Sequence, residues 1–291
     1  VVATAQPLGS EYSHLGDSRG DQMYARYFAS EASRLANATE QRLANVKSAD
    51  AWTLLKSELR TELSEMLGLL PMPPRTDLRA VVTGVVHHEA FHVEKLHFQS
   101  IPGLYVTANL YVPKGLTSPA PTILYACGHA SARKDGISFG CKARYQHHAA
   151  WFARHEAWNC MRAIDYLETR QEVDAEKIGM TGRSGGGIYS WWAGALDDRI
   201  RVAVPVAGIT NLHDHVVRGA VEVNCDCIFP INTFGWDYSL IAALHAPHPL
   251  LISNSDKDQY FPLEGVLRIH SAIRPLWELS GVPRNLGLNI T

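Results

Sequence analysis

Lys177-Ile178-Gly179-Met180-Thr181-Gly182-Arg183-Ser184-Gly185-Gly186-Gly187 is the stretch on which the fold turns. Residues 177–181 predict a buried strand, and the small and aromatic residues from Gly187 to Leu196 predict a helix. A G-x-S-x-G turn therefore stands between a strand and a helix. That bend is tight enough for side chains at the flanking positions to clash, so glycine is required there. A serine hydroxyl is a weak nucleophile at neutral pH. It needs a base, a carboxylate to orient that base, and donors for the oxyanion that forms. Ser184 is the candidate nucleophile. The competing reading is a glycine turn that only packs a helix on a sheet, with or without a phosphate at the helix N-terminus; the specific match in its strand and helix context favours the nucleophile.

The partners are sought by position. Gly185 follows the serine and its amide is one expected oxyanion donor. The second donor is expected from the loop Gly128-His129-Ala130-Ser131, with the amide of Ser131 chosen ahead of Ala130 and His129 a pocket candidate; a plain turn is the alternative. The acid is expected in the loop after the strand that ends at Ser253, where Asp256 and Asp258 both lie. Asp258-x-x-Phe261-Pro262 resembles an Asp-x-x-Val-Pro pattern common after that strand in many hydrolases, so Asp258 is preferred and Asp256 is read as a turn residue. Beyond Asp258 the only histidine is His270, on a predicted helix from Leu263 to Leu279. The base is instead expected beyond a last strand at 285–290, after Thr291.

Outward from this centre, Thr122-Ile123-Leu124-Tyr125-Ala126-Cys127, Val202-Ala203-Val204-Pro205-Val206 and Pro249-Leu250-Leu251-Ile252-Ser253 read as further buried strands. Their alternation with helices predicts an α/β fold with a mostly parallel central sheet flanked by helices. Residues 21–70 carry leucines at helical spacing, closed by Gly68 and Pro71-Met72-Pro73-Pro74. A helical N-terminal region over 1–75 and a main domain over 76–291 follow. Residues 78–112 alternate as antiparallel strands. An insertion is expected at about 208–244, over the mouth of the site. Trp151 to His155 reads as a helix end and Glu156 as the start of another, so a strand is expected to be missing between 155 and 156.

With 46% hydrophobic and 19% charged residues, and 27 basic against 29 acidic side chains for a net charge of -2, the chain of 291 residues is globular in composition. The balance offers no footprint for nucleic acid. No apolar run approaches the roughly 20 residues that span a bilayer, so no membrane role is expected. Five scattered cysteines do not make a disulfide framework, although one bridge is possible. Ala3-Thr4-Ala5 before Gln6 has the small-x-small form of a signal-peptidase site, which suggests a secreted or periplasmic protein, with a trimmed or cytoplasmic chain as the alternative.

Tyr105-Val106-Thr107-Ala108-Asn109-Leu110-Tyr111, Gly128-His129, Tyr145-Gln146-His147-His148, Gly179 to Trp192 and Asp256-Lys257-Asp258 are similar to motifs of the bacterial acetyl xylan esterase-like α/β-hydrolases. The resemblance covers about Leu96 to Ile290. It implies an α/β-hydrolase fold and a Ser-His-Asp hydrolase that removes acyl groups, often acetyl from polysaccharides, with no cofactor or metal. The expected partner is a small-molecule or polysaccharide ester. In such families a strand follows the segment at Trp151 and a histidine follows the last strand; both are lacking here.

Other motifs compete less well. His88-Glu89-Ala90-Phe91-His92 spells H-E-x-x-H, which binds zinc only on a helix, while the valines around it favour extended chain. Cys225-Asp226-Cys227 lacks a second pair for a closed zinc site. His213 and His215 beside Asp214 line a pocket or cap a turn. Trp191 and Trp192 read as core, and Trp236 as core or a platform for a sugar ring. Two rivals to the esterase stay open: a peptidase or other acyl hydrolase on the same fold, and a catalytically silent binding protein.

Overall fold

The computed structural model of the chain describes residues 19–128, 133–134, 137–138, 149–220 and 230–291. Two helices come first, α1 (Arg19–Ala44) and α2 (Ala49–Met66). Ser48 starts α2 by accepting the Ala51 amide at 3.1 Å, satisfying a first-turn donor that has no partner inside the helix. Trp52, Leu59, Leu63 and Met66 recur at steps of seven, four and three, so one face of α2 is apolar. That face belongs to the same buried cluster as Trp158, Trp191, Trp192 and Trp277 of the main body.

A meander of β1 (Val81–His87), β2 (Phe91–Ile101) and β3 (Leu104–Pro113) follows, antiparallel throughout. The H-E-x-x-H stretch forms its first hairpin. The His88 amide donates to the Phe91 carbonyl at 2.9 Å, and His87 stands opposite His92. Extended chain therefore replaces the helix that a zinc site of this type requires.

The next elements are β4 (Ala120–Ala126), the short pair β5 (Arg133–Lys134) and β6 (Ile137–Ser138), α3 (Ala149–Glu168), β7 (Val173–Arg183), α4 (Gly185–Leu196), β8 (Ile200–Val206), α5 (Ser239–Ala243), β9 (Leu250–Asn254), α6 (Leu263–Leu279) and β10 (Leu286–Ile290). Strands β10-β9-β8-β7-β4 form one parallel sheet in that order. The neighbours follow chain order, so right-handed crossovers put every connecting helix on the same face. Burial agrees. Met180, Ala203 and Leu250 share a row by register and are buried, while Ile123, Tyr125 and Leu251, one residue out of phase, are exposed.

Two expectations change here. Residues read as the end of one helix and the start of another, around His155 and Glu156, are successive turns of the single helix α3. The strand at 120–126 and the strand at 173–183 are hydrogen-bonded neighbours with no gap between them. Among the described residues β4 pairs with β7 alone, so the open edge lies on the outer side of β4. The described part of the 208–244 stretch is largely buried. A π-helical turn, His213–Val217, packs against α1, and Trp236, Tyr238, Leu240 and Ile241 join the core.

Backbone-to-backbone contact joins β4, β7 and α4. A Cβ on Gly182 would stand 2.5 Å from both the Ala126 and Gly186 carbonyl oxygens, and one on Gly186 would overlap the Ala126 carbonyl. The chain can make this turn only without side chains there. Deeper in, His245 is fully buried and its Nε2 lies 3.0 Å from the Trp191 carbonyl, which requires the neutral ring to donate from Nε2. Burial holds the imidazoles of both His245 and His215 down to about 3.

Gly186→Ala is expected to cost about 3 kcal/mol through overpacking, read as a lowered urea midpoint. The buried histidines set an acid limit. In the unfolded chain they take up protons below about pH 6.5, whereas in the fold they resist until about 3. Stability is thus present above pH 6.5 and is lost as pH falls, by up to about 1.4 kcal/mol per pH unit for each ring. Asp237, whose carboxyl is raised to about 6 by burial, works the other way between pH 6 and 4. Urea midpoints should still fall from pH 6 to 4, and His245→Gln should remove a clear part of that slope.

Candidate active site

Ser184 sits between β7 and α4 with φ 58° and ψ -120°. This is a sparsely populated region for any residue with a side chain and costs about 1–3 kcal/mol, so the surroundings must hold it. They do so from both sides. The Ser184 amide donates to the Val206 carbonyl of β8 at 3.0 Å, and its carbonyl accepts the Ile188 amide at 3.0 Å. Gly128, just past β4, comes so near that a Cβ there would stand 3.2 Å from Ser184 Cβ and overlap the Arg183 carbonyl. Sequence reading placed Gly128 in the oxyanion loop but had no means of seeing this contact.

Gly185 begins α4 and is buried. First-turn amides have no acceptor inside their helix, and the helix dipole makes that end positive. An anion beside Ser184 would meet the Gly185 N–H there. His129 and Ser131, the other residues expected in this wall, lie outside the described residues, as do Cys225 and Cys227.

The carboxylates expected after β9 lie on the loop 255–262, at the same C-terminal edge of the sheet as Ser184. Asp258 Oδ1 accepts the Tyr260 and Phe261 amides, each at 2.9 Å, which leaves Oδ2 for another donor. The Asp256 amide donates to the Thr291 carbonyl at 3.1 Å, so Asp256 stands beside the end of β10. Asn254 fastens the loop across its base, its Nδ2 donating to the Phe261 carbonyl at 2.9 Å and to that of Ser255 at 3.1 Å.

No histidine among the described residues is hydrogen-bonded to Ser184, Asp256 or Asp258. His270 is on α6, as expected, and burial lowers its pKa. Trp236 is 3% exposed and its indole N–H donates to Glu62 at 2.6 Å, so it packs α2 against the main body and offers no open platform for a sugar. Trp191 and Trp192 are core, as read from sequence. Asp214, between His213 and His215, receives the Gly265 amide at the start of α6. No group of three or more His, Cys, Asp or Glu among the described residues is placed to hold a metal ion.

Residues 131–210 match the family described as glucuronyl esterase, fungi. YtaP of Bacillus subtilis is 30% identical over 127 residues, 43% of this chain and 42% of its own length. The 4-O-methyl-glucuronoyl methylesterase of Phanerochaete carnosa is 29% identical over 174 residues, 51% of this chain and 41% of its own. The chain thus spans about two fifths of the length of the curated relatives it matches. Among solved structures, Methylesterase BT1017 superposes with a TM-score of 0.68 at 21% identity, over 88% of this chain and 63% of that one. The parallel sheet, the strained serine turn at its C-terminal edge and this likeness to solved structures show that the chain has the α/β-hydrolase fold.

Proposed function

We propose that the chain is a serine carboxylic ester hydrolase acting on carbohydrate esters through an acyl-enzyme. The observation that carries this reading is Ser184, held at φ 58° directly before the first amides of α4. Strain of this kind persists at functional sites because it aims a side chain. In the proposed reaction Ser184 Oγ attacks the ester carbonyl and passes its proton to a histidine base. The Gly185 amide, with that of Ser131 as the second donor, stabilises the oxyanion. The alcohol leaves with the proton, and water then hydrolyses the acyl-serine by the same steps in reverse. Asp258 is proposed to orient the base through the oxygen that its own turn leaves unused. No metal or cofactor has a part in this scheme.

For the ester class, the likeness over 131–210 and the name of the Phanerochaete carnosa relative favour the methyl ester of a uronic acid, in which the sugar supplies the acid. Acetylated xylan, in which the sugar supplies the alcohol, is the arm implied by the sequence motifs. A polymeric substrate also supports the expectation of an exported enzyme.

Methanol release from a glucuronate methyl ester and acetate release from acetylated xylan separate the two arms. Turnover of neither by the purified protein, carried through to the histidine expected beyond Thr291, would refute the reading, and release of amine from peptide amides would replace it with a peptidase. Ser184→Ala should lower kcat/KM by at least about a thousandfold with unchanged circular dichroism. Asp258→Asn is expected to lower kcat by about a thousandfold or more, while Asp256→Asn should change it less than tenfold. The opposite ranking in steady-state kinetics would transfer the acid role to Asp256.

A further inference from the structure

The loop 255–262 carries both candidate acids and leads straight into α6. Helix α6 begins after Pro262, which has no side chain able to cap its free amides. The cap comes from elsewhere. Asp214, in the π-helical turn after β8, accepts the Gly265 amide on Oδ2 at 2.8 Å. The Thr210 hydroxyl lies 3.1 Å from that same oxygen and 3.1 Å from the Pro262 carbonyl. Asn211 Oδ1 accepts the Asp214 amide at 3.0 Å, and Arg218 places Nε 3.4 Å from Asp214 Oδ1 while pairing with Glu264.

Asp214 is only 1% exposed, and a buried carboxylate is tolerated where charge-assisted bonds replace its water. The fit is tight. A Cβ on Gly265 would stand 2.5 Å from Asp214 Oδ2 and 2.7 Å from Asn211 Oδ1, so residue 265 must be glycine for the carboxylate to reach the backbone. The ring of Phe261, within the loop, is buried and meets the ring of His215, next to Asp214, edge-on at 6.5 Å between centroids.

We propose that Asp214 is a positioning residue for the ester hydrolysis: it clamps the acid-bearing loop after β9 onto the loop after β8, and so fixes where Asp258 stands relative to Ser184. The role in catalysis rests on the function proposed above; the clamp itself does not. Val206 at the end of β8 already holds the Ser184 amide, so the strand that positions the nucleophile also leads to the residue that positions the acid loop. A displacement near 1 Å is enough to cost about a hundredfold in rate when groups must be aligned.

Peptide-level hydrogen exchange tests the clamp without requiring activity. Asp214→Ala should raise exchange across 255–267 at least tenfold while peptides from β7 and β8 keep their protection. Asp214→Asn, whose amide oxygen can still accept the Gly265 N–H, should restore most of it. Unchanged exchange over 255–267, an equal rise along the whole chain, or an Asn variant as fast as the Ala variant would each overturn the clamp. In turnover, Asp214→Ala should lower kcat at least tenfold with KM changed less than twofold, and a wild-type kcat despite a loosened loop would remove its role in positioning. If the unaltered protein, carried through to the histidine expected beyond Thr291, hydrolyses no ester, the proposed function fails, and the exchange contrast alone decides the clamp.

Discussion

Close approach of backbone to backbone at the serine turn is the constraint on which the remainder of this molecule depends. Gly182 and Gly186 meet the Ala126 carbonyl, and Gly128 meets the Arg183 carbonyl, at separations that no side chain would allow. These contacts bring the end of β4 against the start of α4. They also force the chain to reverse within one residue, which is why Ser184 adopts a conformation that side chains avoid. The cost is met by packing nearby, where Trp191 and Trp192 of α4 enter a core shared with Trp158 and Trp277.

A second consequence comes from strand direction and order. All five strands run parallel, so their C-terminal ends open onto one edge. The loops after β7, β8 and β9 meet there, each from a different part of the sequence. Asp214, Thr210 and Gly265 then join the loops after β8 and β9, and Asn254 ties the latter across its base, by hydrogen bonds that involve almost fully buried groups. Such bonds are stronger than exposed ones and tolerate little displacement.

The same order leaves one face of the sheet without a helix among the described residues, with Ile123, Tyr125 and Leu251 exposed on it. Parallel sheets usually have both faces covered. The expectation of a missing strand came from two helical stretches that meet at 155 and 156 with no strand between them. The structure moves the open position from between β4 and β7 to the outer edge of β4, because β4 and β7 match in register from Thr122 with Ile178 to Ala126 with Gly182.

Elements whose own residues carry their period were legible without coordinates. Helix α6 was expected from Leu263 to Leu279 and occupies those residues, and the glycine-flanked Ser184 announced its bend because only a steric need explains that spacing. Periodicity also separated the H-E-x-x-H hairpin from a zinc helix, since valine-rich flanks favour extended chain. What sequence could not supply were contacts between distant residues. Trp236 becomes a buried strut because Glu62, 174 positions away, takes its N–H. Asp214 becomes a cap because Gly265, 51 positions on, presents an amide to it. The strand, the turn, the helix and the choice of Ser184 as candidate nucleophile were readable along the chain, since these depend on sequence neighbours; which loops meet around Ser184 was set by the tertiary structure, because that depends on strand order and on hydrogen bonds that form only once the sheet has assembled.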